Sequence, residues 1–394
     1  MKTVRCIPTL LGGVGAALLI VAAVPATAST GGHDNASRTG AISSILRTGD
    51  IVTGVRGTTN GNVVLTGSAV TGSGMQTAPF LYQGHLTAGA AGAAVSVLMP
   101  SFPGVTSATF YGPDTHSFNP TAIPRGQVRA VGSYQSSSAA AGVLNQGMIY
   151  LGPVRGSGGS WTSIDVPADG AHTVGHVRAC RRTRARCFVM DTIAHSTMGD
   201  LVVGNYDLNP SRPGGVISGN AFIYNMARRQ WTLLRLGGSW SNETSIYGIW
   251  QDGGDRSPCY TLVGGSSFRG TQQAFLMSYN ERTGTFGKPK YYSYGNAPAL
   301  FTHFDGITAV RGGFNVVAIS SAQDASMAFI PVRRHGGFFG KATWYPVSVL
   351  TSPLCSGGCS AVTGNTVYKS QVMGIYVTAG QPVIHSYLAT IFSR

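Results

Sequence analysis

A glycine at the same point of a short apolar strand returns six times along this chain, at Gly54, Gly112, Gly175, Gly248, Gly306 and Gly364, with intervals of 58, 63, 73, 58 and 58 residues. Each unit continues in the same order. A second strand ends in Gly or Ala plus a small or polar residue, as in Val202-Val203-Gly204-Asn205-Tyr206 or Val316-Val317-Ala318-Ile319. A third follows the pattern of Ala221-Phe222-Ile223-Tyr224, and an aromatic fourth holds Trp161, Trp231, Phe286 to Tyr292 or Trp344. A period this long, filled with strands and turns, is the signature of a toroidal or stacked repeat. The fold class it predicts is all-β, a six-bladed β-propeller.

Two details sharpen that reading. A glycine held at one strand position implies close backbone approach, which a tight inner ring demands. After Ile384 only ten residues remain, too few for a fourth strand, so the stretch Ala41 to Arg47 before the first unit is expected to supply it. Closing the last blade with an N-terminal strand removes the free sheet edges of an open array.

Units of this kind, with Gly204-Asn205-Tyr206 before Ala221-Phe222-Ile223-Tyr224 and Gly264-Gly265 before Gln273-Ala274-Phe275-Leu276, resemble the bacterial extracellular HAF-repeat family. The likeness covers nearly all of the chain after its leader. The histidine expected before Ala-Phe is replaced here by Asn220, Gln273 and Met327. The resemblance implies secretion and a propeller-like β fold, and it brings no reaction and no catalytic residues.

The first residues, with Lys2 and Arg5, an apolar run from Leu18 to Val24 and Ala26-Thr27-Ala28, read as a secretory signal peptide over 1–28. Its retention as an anchor is the alternative. Residues 29–40 are expected to be a flexible linker and 41–394 a single propeller domain. The run is short of the roughly 20 apolar residues a spanning helix needs, and no later stretch approaches it. Few charges beside 55 glycines favour sheet over helix.

An oxidising compartment allows local disulfides, and the economical pairing is Cys180 with Cys187 and Cys355 with Cys359. Cys259 is left over and is expected to be a buried strand residue. Neither pair has the second Cys pair or His pair of a zinc site, so no metal and no cofactor are expected.

The formal charge of +14 draws polyanions through a field that salt weakens. Its densest focus is Arg178, Arg181, Arg182, Arg184 and Arg186, whose guanidinium forks suit phosphate or carboxylate. Aromatic residues that stack bases are not interleaved with them, which argues against nucleic acid. The first functional reading is therefore a secreted, noncatalytic binding propeller that engages anionic glycans or cell-envelope polymers. The second is a secreted hydrolase or lyase working at the central tunnel mouth; the third is a structural or adhesive surface protein.

No nucleophile elbow, zinc-protease or phosphate-loop motif is present, and Asp165, Asp191, Asp207 and Asp305 show no recurrent spacing. One pattern favours the tunnel. His172 and His303 each stand three residues before a repeat glycine, Gly175 and Gly306, so both imidazoles are expected on first strands facing one mouth, with Asp305 and His176 near by. Imidazole with carboxylate can bind a divalent metal or move a proton. His172, His303 and Asp305 are thus the candidate catalytic residues.

Overall fold

A computed structural model describes residues 38–392 except 72–75, 88–94, 156–157, 168–170, 176–187, 210–216, 237–242, 269–270, 295–300, 322, 324, 333–337 and 381–382. The chain opens with β1 (Arg38–Ser44). Blade one follows as β2 (Ile51–Gly57), β3 (Val63–Thr71), β4 (Gln76–Gly84) and β5 (Ser96–Val97). Blade two is β6 (Val105–Thr115), β7 (Gln127–Ser136), β8 (Gln146–Pro153) and β9 (Ser160–Ile164). After the short β10 (His172–Gly175), blade three is β11 (Phe188–Met198), β12 (Leu201–Asn209), β13 (Ile217–Asn225) and β14 (Gln230–Arg235).

Blade four is β15 (Thr244–Asp252), β16 (Cys259–Phe268) and β17 (Thr271–Asn280), with β18 (Thr285–Phe286) and β19 (Lys290–Tyr292) both paired to β17. Blade five is β20 (Thr302–Val310), β21 (Gly313–Ser320), β22 (Ser326–Pro331) and β23 (Thr343–Pro346). Blade six is β24 (Cys359–Tyr368), β25 (Gln371–Thr378) and β26 (Ile384–Phe392). No α-helix is found among the described residues.

The first strands β2, β6, β11, β15, β20 and β24 touch one another in cyclic order, and β24 returns to β2. The chain is thus a six-bladed β-propeller. Its last blade is completed by β1, which pairs antiparallel with β26 and sets Ser44 opposite Tyr387. The closing strand lies three residues earlier than Ala41 to Arg47, and it takes up Arg38 to Gly40 from the segment expected to be linker. The segment 1–28 lies outside the described residues.

The core lies between blades rather than at the centre. Six separate clusters of buried apolar side chains each join one blade to the next, from Leu65 and Met373 between blades one and six to Val317 and Val372 between five and six. The fourth-strand tryptophans belong to this packing. Trp161 stacks on Phe110 at 5.5 Å, and Trp344 on Phe304 at 5.9 Å.

Every first strand carries a bulge at the same place. Its register shifts between Val52 and Gly54, Phe110 and Gly112, Ala194 and Ser196, Ile246 and Gly248, Phe304 and Gly306, and Gly364 and Thr366. The residue after the bulge faces the next inner strand at backbone distance. A Cβ on Gly112 would lie 2.9 Å from Cα of Ser196, and one on Gly306 would lie 3.1 Å from Cα of Thr366. Opposite the bulge, the second strand needs a second glycine, since a Cβ on Gly264 would collide with the carbonyl oxygen of Ser245.

An aromatic ring from the third strand lies over that glycine in blades one, three and four, where Phe80, Phe222 and Phe275 face Gly67, Gly204 and Gly264; in blade six Tyr387 faces Gly374. Blade five has Ala318 at the second-strand position, and its partner is Ser326. Where a methyl occupies the space, the ring has gone.

Three sequence expectations need correction. The first strand of unit three is β11, not the stretch around Gly175: β10 instead pairs parallel with β14 at the outer edge of its blade. In unit six the equivalent of the repeat glycine is Thr366, two residues beyond Gly364. Cys259 is exposed rather than buried. The Cys355–Cys359 disulfide is present, with Cα atoms 5.4 Å apart, while Cys180 and Cys187 lie outside the described residues.

Candidate functional site

A bulge turns one extra side chain off the sheet. In a ring of six first strands, the six bulges make a collar around the axis: Thr53, Tyr111, His195, Tyr247, Asp305 and Asn365. All six are partly exposed between fully buried neighbours.

They are linked almost all the way round. Thr53 Oγ1 donates to the carbonyl of Phe110 at 2.5 Å, and Asn365 Nδ2 donates to the carbonyl of Val52 at 2.7 Å. The His195 ring centroid lies 5.0 Å from Tyr111 and 4.6 Å from Tyr247, and Tyr247 lies 5.3 Å from His303. His303 stands two residues before the bulge of β20, over Gly265 of blade four, where a Cβ would approach its own Cβ to 2.8 Å.

The collar's imidazole–carboxylate contact is between His303 Nδ1 and Asp305 Oδ1, at 2.8 Å. The two side chains keep 18% and 13% of their surface, so solvent still reaches the pair. Burial pulls the His303 imidazole down, but the charge of Asp305 and its hydrogen bond outweigh that and hold the ring's pKa above its ordinary value. The other carboxylate oxygen, Oδ2, is buried and receives no hydrogen bond among the described residues. An unmet buried acceptor costs about 1–3 kcal/mol, and such costs persist where a function needs the group.

His195 is in the opposite state. Its Nε2 donates to Asn205 Oδ1, which leaves Nδ1 as a lone pair. Burial lowers its pKa to about 4, against the pull of the Asn205 bond and with the charge of His303 adding to the fall. Burial raises Tyr247, and Asp305, Glu243 and Asp207 push it further up.

Carboxylates gather towards the end where the first strands begin. Asp191 and Asp207 face each other across β11 and β12. Asn145 Nδ2 donates to Asp191 at 2.5 Å, and the Gly219 amide donates to Asp207 at 2.8 Å. Burial chiefly, opposed by the Gly219 bond and helped by the negative charges of Asp191 and Glu243, raises Asp207 to about 6.

The opposite end of the tunnel is filled. Arg56, on the first strand of blade one, donates through Nε to Pro113 O at 3.3 Å and through Nη2 to Thr197 O in blade three at 3.5 Å. Its guanidinium lies over Trp250 of blade four at 5.2 Å and over Phe118 at 6.0 Å. In a ring of six, blade four is opposite blade one, so this side chain crosses the axis.

Asp114 and Arg129 sit beside the plug, buried and 4.0 Å apart. The loop between β6 and β7 closes over it, with Thr121 Oγ1 donating to Asp255 in blade four at 2.6 Å. Among the described residues, the plug and this loop lie at the end of the tunnel away from the starts of the first strands.

Of the residues singled out from sequence, His303 and Asp305 come together and His172 does not join them. His172 is exposed on β10, opposite Thr232 at the rim of blade three, because Thr173-Val174-Gly175 imitates a first strand without being one. His176 and Arg178, Arg181, Arg182, Arg184 and Arg186 lie outside the described residues. Sequence reasoning missed Tyr111, His195, Asn205 and Tyr247. A signal was available for two of them, since Tyr111 and Tyr247 stand immediately before repeat glycines, as Asp305 does. No group of three or more His, Cys, Asp or Glu suited to a metal ion occurs among the described residues.

No family model matches the chain. No curated protein matches it either. Among solved structures, it is similar to the GH93 α-L-arabinofuranosidase of Fusarium graminearum at 9% identity and a TM-score of 0.48, over 89% of this chain and 98% of that one. It is also similar to the Pseudomonas aeruginosa periplasmic gluconolactonase PpgL at 8% identity and a TM-score of 0.39, over 86% and 85% of the two chains. Likenesses this remote carry no argument about what the chain does.

Proposed function

We propose that the end of the tunnel where the first strands begin is the acid–base site of a secreted hydrolase that acts on an uncharged, hydroxyl-bearing ester, lactone or glycoside. The observation that carries this reading is the His303–Asp305 pair, joined at 2.8 Å in the collar, with the other carboxylate oxygen unpaired among the described residues. Clustered groups with displaced pKa values are the usual mark of proton-transfer sites. The carboxylates Asp191, Asp207 and Glu243 crowd the same end and repel anionic substrates, which favours hydrolysis of neutral ones over elimination from uronates. Secretion is part of the proposal and is supported by the leader-like first residues and the Cys355–Cys359 disulfide. Membership of the HAF-repeat family is proposed on the same footing.

The test is a panel of neutral and carboxylated p-nitrophenyl esters, lactones and glycosides, assayed with the unmodified protein, His303→Gln and Asp305→Asn. The expected result is turnover of a neutral member that falls at least about 100-fold in each variant, the usual scale of one acid–base group. Absence of turnover across the panel, or turnover undiminished in both variants, overturns the reading.

A second reading, noncatalytic binding of anionic glycans or envelope polymers, is favoured by the five arginines between 178 and 186 and the charge of +14. It predicts retention on an anionic polymer that falls with salt and with Arg182→Ala plus Arg184→Ala; salt-independent or absent retention removes it.

A further inference from the structure

The geometry points to a division of proton work between two histidines on either side of Tyr247: His195 Nδ1 takes a proton from the attacking water, and His303 Nε2 gives one to the leaving oxygen. This rests on the hydrolytic reading above and assigns it a base that sequence reasoning did not find. Among the described residues, each imidazole is held by one nitrogen and has no hydrogen-bond partner at the other. His195 is held through Nε2 by Asn205 Oδ1, so its free nitrogen is an acceptor. His303 is held through Nδ1 by Asp305 Oδ1, so in the charged ring its free nitrogen is a donor. Their ring centroids lie 4.6 and 5.3 Å from that of Tyr247, which places a base on blade three and an acid on blade five of one collar, with blade four between them.

The electrostatics agree with these roles. The groups around the two rings are Tyr111 from blade two, Asn205, Asp191 and Asp207 from blade three, Tyr247 and Glu243 from blade four, and Asp305 from blade five. Asp305 keeps the proton on His303, and the resulting charge opposes a second proton on His195, whose burial already disfavours one. Titratable groups whose surroundings drive their pKa values apart are the recurrent pattern of acid and base assignments.

The step balances. Water loses a proton to His195 Nδ1 as its oxygen bonds to the acyl or anomeric carbon. The bond from that carbon to the leaving oxygen breaks, and that oxygen takes the proton of His303 Nε2. Solvent then carries the proton from His195 back to His303, with no oxidant or reductant involved.

The test is a titration of the imidazole nitrogens by NMR in the intact, unmodified protein labelled with 15N-histidine. Through-space contacts to Tyr247 pick out the two rings and a further contact to Tyr111 marks His195, so no substitution is needed. The expected result is a neutral His195 with its proton on Nε2 from pH 8 down to pH 5, and a His303 transition above the ordinary 6.5. In Asp305→Asn the His303 transition is expected to fall by at least about one pH unit, tenfold in proton affinity.

A His195 that is charged at pH 6 or carries its proton on Nδ1, or a His303 whose transition lies at or below 6.5, overturns the assignment. Turnover accompanied by such titrations leaves hydrolysis standing and removes the division of labour. Titrations as expected with no turnover on the panel remove both.

Discussion

Asp207→Asn tests the electrostatics of the site through stability alone. The carboxyl of Asp207 ionises at about 6 in the fold against an ordinary 3.8, chiefly because it is buried, and further because Asp191 and Glu243 repel its charge. At about 1.36 kcal/mol per pH unit, this displacement amounts to about 3 kcal/mol. The sign follows from which state binds the proton. Between pH 3.8 and 6 the folded chain holds a proton that the unfolded chain has released. The contribution is therefore complete below the unfolded value and is lost as the pH rises through about 6.

The amide of the variant does not titrate, and its oxygen still accepts from the Gly219 amide. Urea unfolding of both proteins at pH 4, 5, 6 and 7.5 gives their difference in stability, from which the shared titrations of Asp252 and His195 cancel. Relative to the variant, the unmodified protein is expected to lose up to about 3 kcal/mol between pH 4 and 7.5. A difference that stays flat with pH, or one that moves the other way, would refute the reasoning.

Two further outcomes follow from the collar and the plug. Gly264→Ala drives a methyl against the carbonyl of Ser245 and is expected to cost about 1–3 kcal/mol, as overpacking does; Ala318→Gly, at the equivalent place opposite Ser326, is expected to cost no more than about 1 kcal/mol, both read by urea unfolding. Arg56→Ala removes the side chain that crosses the axis and leaves buried Asp114 with one cation fewer. The expected loss is about 3–5 kcal/mol, and thermal unfolding checks it; a change below about 1 kcal/mol would show that the plug is not needed for stability.

Much of the ring was legible in sequence because close backbone approach leaves a chemical trace. The second-strand position is glycine in five units and alanine in unit five, and all six align in the structure. The first-strand glycine misled in units three and six because the requirement applies to one side of each contact. Gly112 gives the room, so its neighbour can be Ser196; Gly306 does the same for Thr366. With serine in place of glycine, β11 lost the mark of a first strand, and Gly175 was the nearest substitute.

The site was less legible for a related reason. Repeats reveal what their units share, whereas the collar uses one position for six purposes. Thr53, Tyr111, His195, Tyr247, Asp305 and Asn365 have no common chemistry, and only the bulge that turns each of them out makes them equivalent. Asp191, Asp207 and Asp305 show no common spacing because their meeting is set by blade geometry and not by sequence interval.

The convergence of blades three, four and five on one axis is measured most directly by proton–proton Overhauser contacts in protein deuterated except at histidine and tyrosine. Cross-peaks are expected from the ring of Tyr247 to both His195 and His303, whose centroids lie 4.6 and 5.3 Å away. If either histidine shows no contact with that tyrosine, the blades do not meet in this register, and the shared site is contradicted.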